Sequence, residues 1–240
     1  MPAAIKLLLR KEALFANRDL VPGEGGMVTV QQAPDQTATF LAQEGLSGVV
    51  DISGYPHPSS AILSGAAAAL EEVQERMSAS GIDSQRRAIK YGMHATHVRP
   101  VADQLRSNEN VFPEADSCEA KVKHDVVHWS NVSGTRLQSG PPLNANYWAT
   151  QLTTPIHYKQ CIEGIHAAYR GSEVVFLDLG MGPRLTRLVQ NTLQDTPEWE
   201  SGRMRAINCI VSTSIEEAAM AQEGWAVKTM RENLKSFIVE

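Results

Sequence analysis

The chain has 240 residues and a mass of 26.2 kDa, enough for one large domain or two small ones around a packed core. Hydrophobic residues make up 42% and charged residues 20%, a globular composition, and a net charge of −5 argues against electrostatic capture of nucleic acid or an anionic membrane. No run approaches the roughly 18 apolar residues of a membrane span, Lys6 interrupts the apolar start where a signal peptide would continue, and Cys118, Cys161 and Cys209 are spaced for neither a disulfide framework nor a CxxC metal pair, so a soluble cytoplasmic protein is expected.

Residues 4–20 place Leu7, Leu8, Ala13, Leu14 and Phe15 among charged residues at helical spacing, and Pro22-Gly23-Glu24-Gly25-Gly26 ends that helix. A strand is expected over Met27–Val30, a helix over Asp35–Glu44, strands over Ser47–Ser53 and Ala61–Ser64, a helix over Ala66–Ser80 and a strand over Arg87–Tyr91. That order, β-α-β-β-α-β, is the ferredoxin-like arrangement. The second of its helices is the better marked, because Gly81 stands where a terminating glycine belongs. Beyond Tyr91 a helix is expected over Val101–Arg106, a polar loop over Ser107–Val122 and a strand over Val126–Val132 that turns at Ser133-Gly134. The loop Gln138–Pro142 precedes helices over Asn146–Gln151 and Tyr158–Tyr169. A strand over Val174–Leu179 then runs through Gly180-Met-Gly-Pro183 into a helix over Arg184–Leu193, and a strand over Ala206–Val211 precedes a helix over Ile215–Phe237. Strands alternating with helices in this half argue for a parallel sheet.

Chemistry-bearing residues are sparse. No Gly-x-Ser-x-Gly elbow occurs, so Ser47, Ser53 and Ser133 read as turn and cap serines. Cys161 and Cys209 fall on apolar faces and read as small buried hydrophobes. The pairs His94-x-x-His97 and His124-x-x-x-His128 hold four imidazoles of the kind zinc accepts, but they lie in different elements with a polar loop between, and no metal is expected. Gly180-x-Gly182 follows a strand and precedes a helix, yet Leu185 stands where the third glycine of a dinucleotide fingerprint belongs, so a tight turn without a ligand is expected.

The order of short strings says more than any one of them. Leu7-Leu-Leu-Arg10-Lys-Glu-Ala-Leu-Phe15, Gly25-Gly-Met27-Val28-Thr-Val30, Ala61-Ile-Leu-Ser-Gly65 and Trp129-Ser-Asn131-Val132-Ser-Gly134 are followed by Asn146-Tyr147-Trp148, then Gln151-Leu152 and Pro155. Phe176-Leu-Asp178-Leu-Gly180-Met-Gly182-Pro183, then Leu185-Thr186, completes the series. In this order, and with His94 placed between the inserted unit and a helix, the chain resembles the acyltransferase domains of polyketide synthases and the related malonyl-CoA:acyl-carrier-protein transacylases. The resemblance implies an α/β fold: a partial α/β-hydrolase-like large subdomain formed by residues 1–24 and 92–240, with an inserted ferredoxin-like small subdomain, residues 25–91. It implies acyl transfer from CoA to the phosphopantetheine thiol of an acyl carrier protein, with no tightly bound cofactor, His94 as catalytic base and Arg10 as the fork that grips a malonyl-type carboxylate.

The departures matter as much. The family's first third, with its Gly-His-Ser nucleophile and oxyanion segment, has no counterpart, and the chain opens almost at Arg10. The residues after the histidine are usually Ser/Thr-Pro-Leu-Met, whereas here they are Ala95-Thr96-His97-Val98. An asparagine common in the family falls near Pro56, and Tyr91-Gly92-Met93-His94 fits neither the malonyl-selective nor the methylmalonyl-selective pattern. Two readings therefore stay open: a partial acyltransferase, inactive alone or completed by a partner that carries the missing segment, and a non-catalytic module that binds a carrier protein or a synthase. A hydrolase or transferase with an unrecognised nucleophile is a third.

Overall fold

The computed structural model describes residues 3–17, 19–21, 23–107, 126–137 and 144–210. Pro22, the loop residues 108–122 and 138–142, Cys118, His124, Val211 and the helix expected over 215–237 lie outside the described residues. The chain divides into two compact units, Met1–Gly164 and Ile165–Glu240. Among the described residues no helix is long and apolar enough to cross a membrane.

The first unit opens with α1 (Ala3–Ala16), which ends short of the expected position. The Asn17 side chain accepts the Asp19 amide at 3.0 Å, an alternative to helical bonding that asparagine offers and most residues do not. Then come β1 (Gly25–Val30), α2 (Pro34–Gln43), β2 (Asp51–His57), β3 (Ser60–Ala66), α3 (Ala67–Ala79) and β4 (Ser84–Arg86). The four strands make one antiparallel sheet in the order β2-β3-β1-β4, the ferredoxin-like topology. Alternation along β1 turns Val28 and Val30 to the same face as Leu63, where Phe40 and Leu41 of α2 and Leu70, Val73 and Met77 of α3 close the core.

Two strands differ from expectation. The stretch expected to begin a strand at Ser47 is a turn, because Gly45 and Gly48 adopt φ of 69° and 80°. The strand starts instead at Asp51, with Ile52 set opposite Leu63 across the β2–β3 hairpin. The last strand is Ser84–Arg86 rather than Arg87–Tyr91. Gly81 ends α3 at φ 70°, so the chain meets the sheet early and pairs Ser84 with Val30. A short polar edge strand carries no apolar alternation to read.

The rest of the first unit is mainly helical. A 3₁₀ turn (Thr96–Val98) leads into α4 (Arg99–Ser107). The expected strand over Val126–Val132 shrinks to β5 (Trp129–Ser130), which pairs with β6 (Thr135–Arg136) around Gly134 at φ 70°. Two helices follow, α5 (Ala145–Thr153) and α6 (Tyr158–Ala168). Leu7, Leu14 and Phe15 of α1 share a core with Val98, Val101 and Leu105 and with Ala149 and Leu152 of α5. The segment before α6 is tied to the small sheet: Tyr55 N donates to Ile156 O and Ile156 N to Ser53 O, both at 2.9 Å.

In the second unit β7 (Val174–Met181) pairs in parallel with β8 (Met204–Ile210), with α7 (Arg184–Leu193) and α8 (Pro197–Glu200) between them in sequence. This is the parallel arrangement that the strand-helix alternation implied. Val189, Leu193 and Met204 are buried, while Val175, Leu177 and Leu179, alternate residues of β7, are exposed.

Candidate functional site

His94 stands just before the 3₁₀ turn and has a φ of 58°, the one non-glycine among the described residues with positive φ. Histidine tolerates this left-handed conformation better than most residues, yet it is strained and persists only where the surroundings hold it. The imidazole is held from α5: His94 Nδ1 lies 2.7 Å from the backbone oxygen of Gln151. A carbonyl oxygen only accepts, so Nδ1 carries the proton and Nε2 keeps its lone pair. Burial pushes the His94 pKa below its ordinary value, the Gln151 carbonyl pulls it up, and the charge of Lys11 pushes it down. The net direction is down, which keeps the ring neutral and its Nε2 available as a base near neutral pH.

Arg10 lies on α1, whose next residue, Lys11, is the cation that acts on His94. Residues 7, 10, 11 and 14 lie on one helical stripe, and its Leu7 and Leu14 are buried in the core that also holds Tyr91 and Met93. Phe15 stacks on Tyr91 with ring centroids 4.8 Å apart. Arg10 Nε is buried with no hydrogen-bond partner among the described residues, a costly state that an anion would relieve. A hollow of about 650 Å³ lies between the end of α1 and the Lys90–Tyr91 stretch, lined in part by Phe15, Val21 and Glu24; Arg10 and His94 are not among its lining residues.

Glycines let the His94 segment approach the small sheet. A side chain at Gly92 would put its Cβ 2.9 Å from Gly65 N, and one at Gly25 would come within 2.6 Å of Gly92 N and of His97 Nε2. His97 is thus packed against backbone. Its buried Nε2 has no partner among the described residues, and burial lowers its pKa. Sequence reasoning missed Gln151 as the partner of His94, since a backbone carbonyl carries no side-chain signature.

Packing accounts for the two described cysteines. Burial pushes the Cys161 thiol up to about 11 and raises that of Cys209, which disfavours both as nucleophiles. In the second unit the chain's own carboxylate fills the turn after β7. Asp178 accepts from Gly180 N at 2.9 Å and from the Thr186 amide and hydroxyl at 3.3 Å. Asn208 Nδ2 donates to Gly180 O at 3.0 Å and Gly182 O at 2.8 Å. Asp178 thereby takes up one amide of the first turn of α7.

A ferredoxin-like sheet inserted into an α/β chain, with a backbone-held histidine at its exit, defines a two-part α/β fold. The family described as acyl transferase domain matches residues 4–234, and the chain belongs to it. Polyketide synthase GfsB of Streptomyces halstedii is 30% identical over 188 residues, 78% of this chain and 3% of that protein. Squalestatin tetraketide synthase of Phoma sp. is 22% identical over 236 residues, 91% of this chain and 9% of that protein. The acyltransferase domain from the second module of the salinomycin polyketide synthase superposes with a TM-score of 0.68 at 22% identity, covering 100% of this chain and 53% of that one. A malonyl CoA-acyl carrier protein transacylase from Clostridium perfringens gives 0.66 at 18% identity, covering 96% and 66%. The fold is therefore α/β-hydrolase-like with a ferredoxin-like insertion. The chain spans a few per cent of the synthases' length and between 53% and 66% of these solved chains.

Proposed function

We propose that this chain handles malonyl-type acyl groups passing between CoA and the phosphopantetheine thiol of an acyl carrier protein in polyketide assembly. In this reading residues 1–24 and 92–240 form the large subdomain, and residues 25–91 the small one. The single observation that carries it is His94, whose Nδ1 is engaged by Gln151 O at 2.7 Å and whose Nε2 is thereby presented as a base. Arg10, whose buried Nε has no partner among the described residues, supplies the planar cation that pairs with the free carboxylate of a malonyl group.

In this reading the nucleophile is a serine in a Gly-His-Ser segment outside these 240 residues, supplied by a partner. His94 Nε2 takes the serine proton as the serine oxygen attacks the thioester carbon, and the same proton goes to the departing CoA thiolate. In the second half His94 takes the carrier thiol's proton as its sulfur attacks the ester, then returns it to the serine oxygen, which restores the starting state.

The test is incubation of the full chain with radiolabelled malonyl-CoA and an acyl carrier protein, alone and with candidate segments bearing Gly-His-Ser. Label on the carrier only when both chains are present, and its loss in His94→Ala, is the expected result. Retention of carrier protein by the chain with no labelling under any pairing replaces the catalytic reading with a binding one.

A further inference from the structure

We propose that Asp51 is a positioning residue for His94, acting through Thr96; this rests on the acyl-transfer reading of His94 given above. Asp51 opens β2, and its Oδ2 accepts from the Thr96 amide at 2.8 Å and from the Thr96 hydroxyl at 2.6 Å, across 45 residues of sequence. The backbone of Asp51 is held in the β2–β3 ladder, where it pairs with Ser64. Thr96 begins the 3₁₀ turn two residues after His94.

The left-handed backbone of His94 needs both of its flanks fixed. On the upstream side Gly92 is pressed against Gly65, and Met93 N donates to Tyr91 O at 2.9 Å. The ring itself is tied to Gln151. Downstream, Ala95 is extended at φ −150°, ψ 168° and supplies no side-chain bond, so the next restraint on the backbone is the pair of bonds from Thr96 to Asp51. Where the resembled string carries a proline, this chain has a residue with a free amide and a hydroxyl, and Asp51 supplies the acceptor that both require. Proline would lock φ by its ring; here a carboxylate clamp does the same work.

The clamp is distinct from the carboxylate's charge. Asp51 raises the pKa of its neighbour His97, whereas the charged group acting on His94 is Lys11 of α1. Asn in place of Asp keeps the oxygen acceptor and removes the charge, while Ala removes both.

The experiment uses the full chain with ¹⁵N-labelled histidine and follows the ring nitrogens by NMR against pH, with His94→Gln assigning the His94 signals. The unaltered chain is expected to show His94 as a single Nδ1-protonated tautomer with a depressed midpoint. Asp51→Ala is expected to mix the tautomers and raise the midpoint by about half a unit or more toward the ordinary histidine value. Asp51→Asn is expected to leave both readings as they were. Thr96→Pro is expected to make them insensitive to Asp51→Ala, because extended Ala95 suits the residue before proline and a helix start tolerates the missing N–H. An unchanged His94 titration in Asp51→Ala overturns the proposal, as does a shift of the same size in Asp51→Asn. Should Asp51→Ala not fold, Thr96→Val, which deletes only the hydroxyl bond, must move His94 in the same direction, and no movement overturns it. The two readings fail separately. Labelling that survives His94→Ala removes His94 as the base and leaves the clamp, whereas a clamp variant with normal His94 titration removes the clamp alone.

Discussion

At the scale of single residues, the proposal rests on a ring with one nitrogen committed and a guanidinium whose Nε has no hydrogen-bond partner among the described residues. The backbone oxygen of Gln151 takes the place that a carboxylate takes beside the histidine of a serine-histidine-aspartate triad. A neutral carbonyl stabilises an imidazolium less than a carboxylate does, so in the proposed reaction the ring returns its proton readily. In the complemented assay we expect His94→Ala to lower malonyl transfer by roughly 10²–10⁴-fold, the usual contribution of a positioned acid-base group. Arg10→Lys keeps the charge but loses the planar fork. It is expected to weaken malonyl-CoA use by about tenfold or more, as the loss of a charge-assisted bond of about 1.5–3 kcal/mol implies, while leaving acetyl-CoA use nearly unchanged. An equal effect on both substrates would sever Arg10 from the carboxylate.

Elements are set against one another by the absence of side chains as much as by their presence. Helix α6 meets β5 at Gly164, where a Cβ would lie 2.2 Å from Trp129 Cζ3. That indole must move or the helix must retreat. Gly164→Ala is therefore expected to cost about 1–3 kcal/mol, the range for overpacking, despite alanine's better helix propensity; urea unfolding followed by amide exchange in α6 reads it. A stabilised variant would mean that the helix and hairpin are not in contact. Gly92→Ala makes a related case nearer the site. Its Cβ would meet Gly65 backbone at 2.9 Å, which gives little room to relax, so both stability and the His94 titration should shift together.

Over the molecule as a whole, several titrating groups act in the same direction. In the first unit His57, His94, His97 and His157 all have pKa values lowered chiefly by burial. Each binds a proton more readily unfolded than folded. Their contribution to stability is therefore complete above the ordinary histidine value of about 6.5 and falls as pH drops below it. In the second unit Glu198 accepts from His166 at 3.0 Å and from Gly171 N at 3.3 Å, and the bond from His166 chiefly lowers its pKa. The stability it contributes is present above the unfolded carboxylate value and is lost as pH falls through the folded one. Amide exchange of Leu63 and Val101 is expected to accelerate as pH is lowered from 7 to 5, after correction for intrinsic exchange, and a flat profile would contradict the burial of those rings. Exchange at Leu193 should hold until the carboxylate range, and Glu198→Gln should remove that dependence.

Local pattern alone determined the helices with strong stripes or terminators. Arg184–Leu193 is found where the spacing put it, and Gly81 ends α3 with the positive φ that only glycine adopts without cost. It also settled the ferredoxin-like order and the parallel pairing of β7 with β8, because alternation and connection length are written along the chain. Tertiary structure decided the rest. The start of β2 moved to Asp51 because register is set by the partner strand, and β4 formed from polar residues because an edge strand needs only a neighbour with free backbone groups. His94 was legible as a candidate from its place in the order of strings. Its tautomer was not, since it depends on a backbone oxygen 57 residues away, and the clamp from Asp51 spans 45. Hydrogen bonds between segments so far apart in sequence follow from how the chain folds back on itself, and no local spacing encodes them.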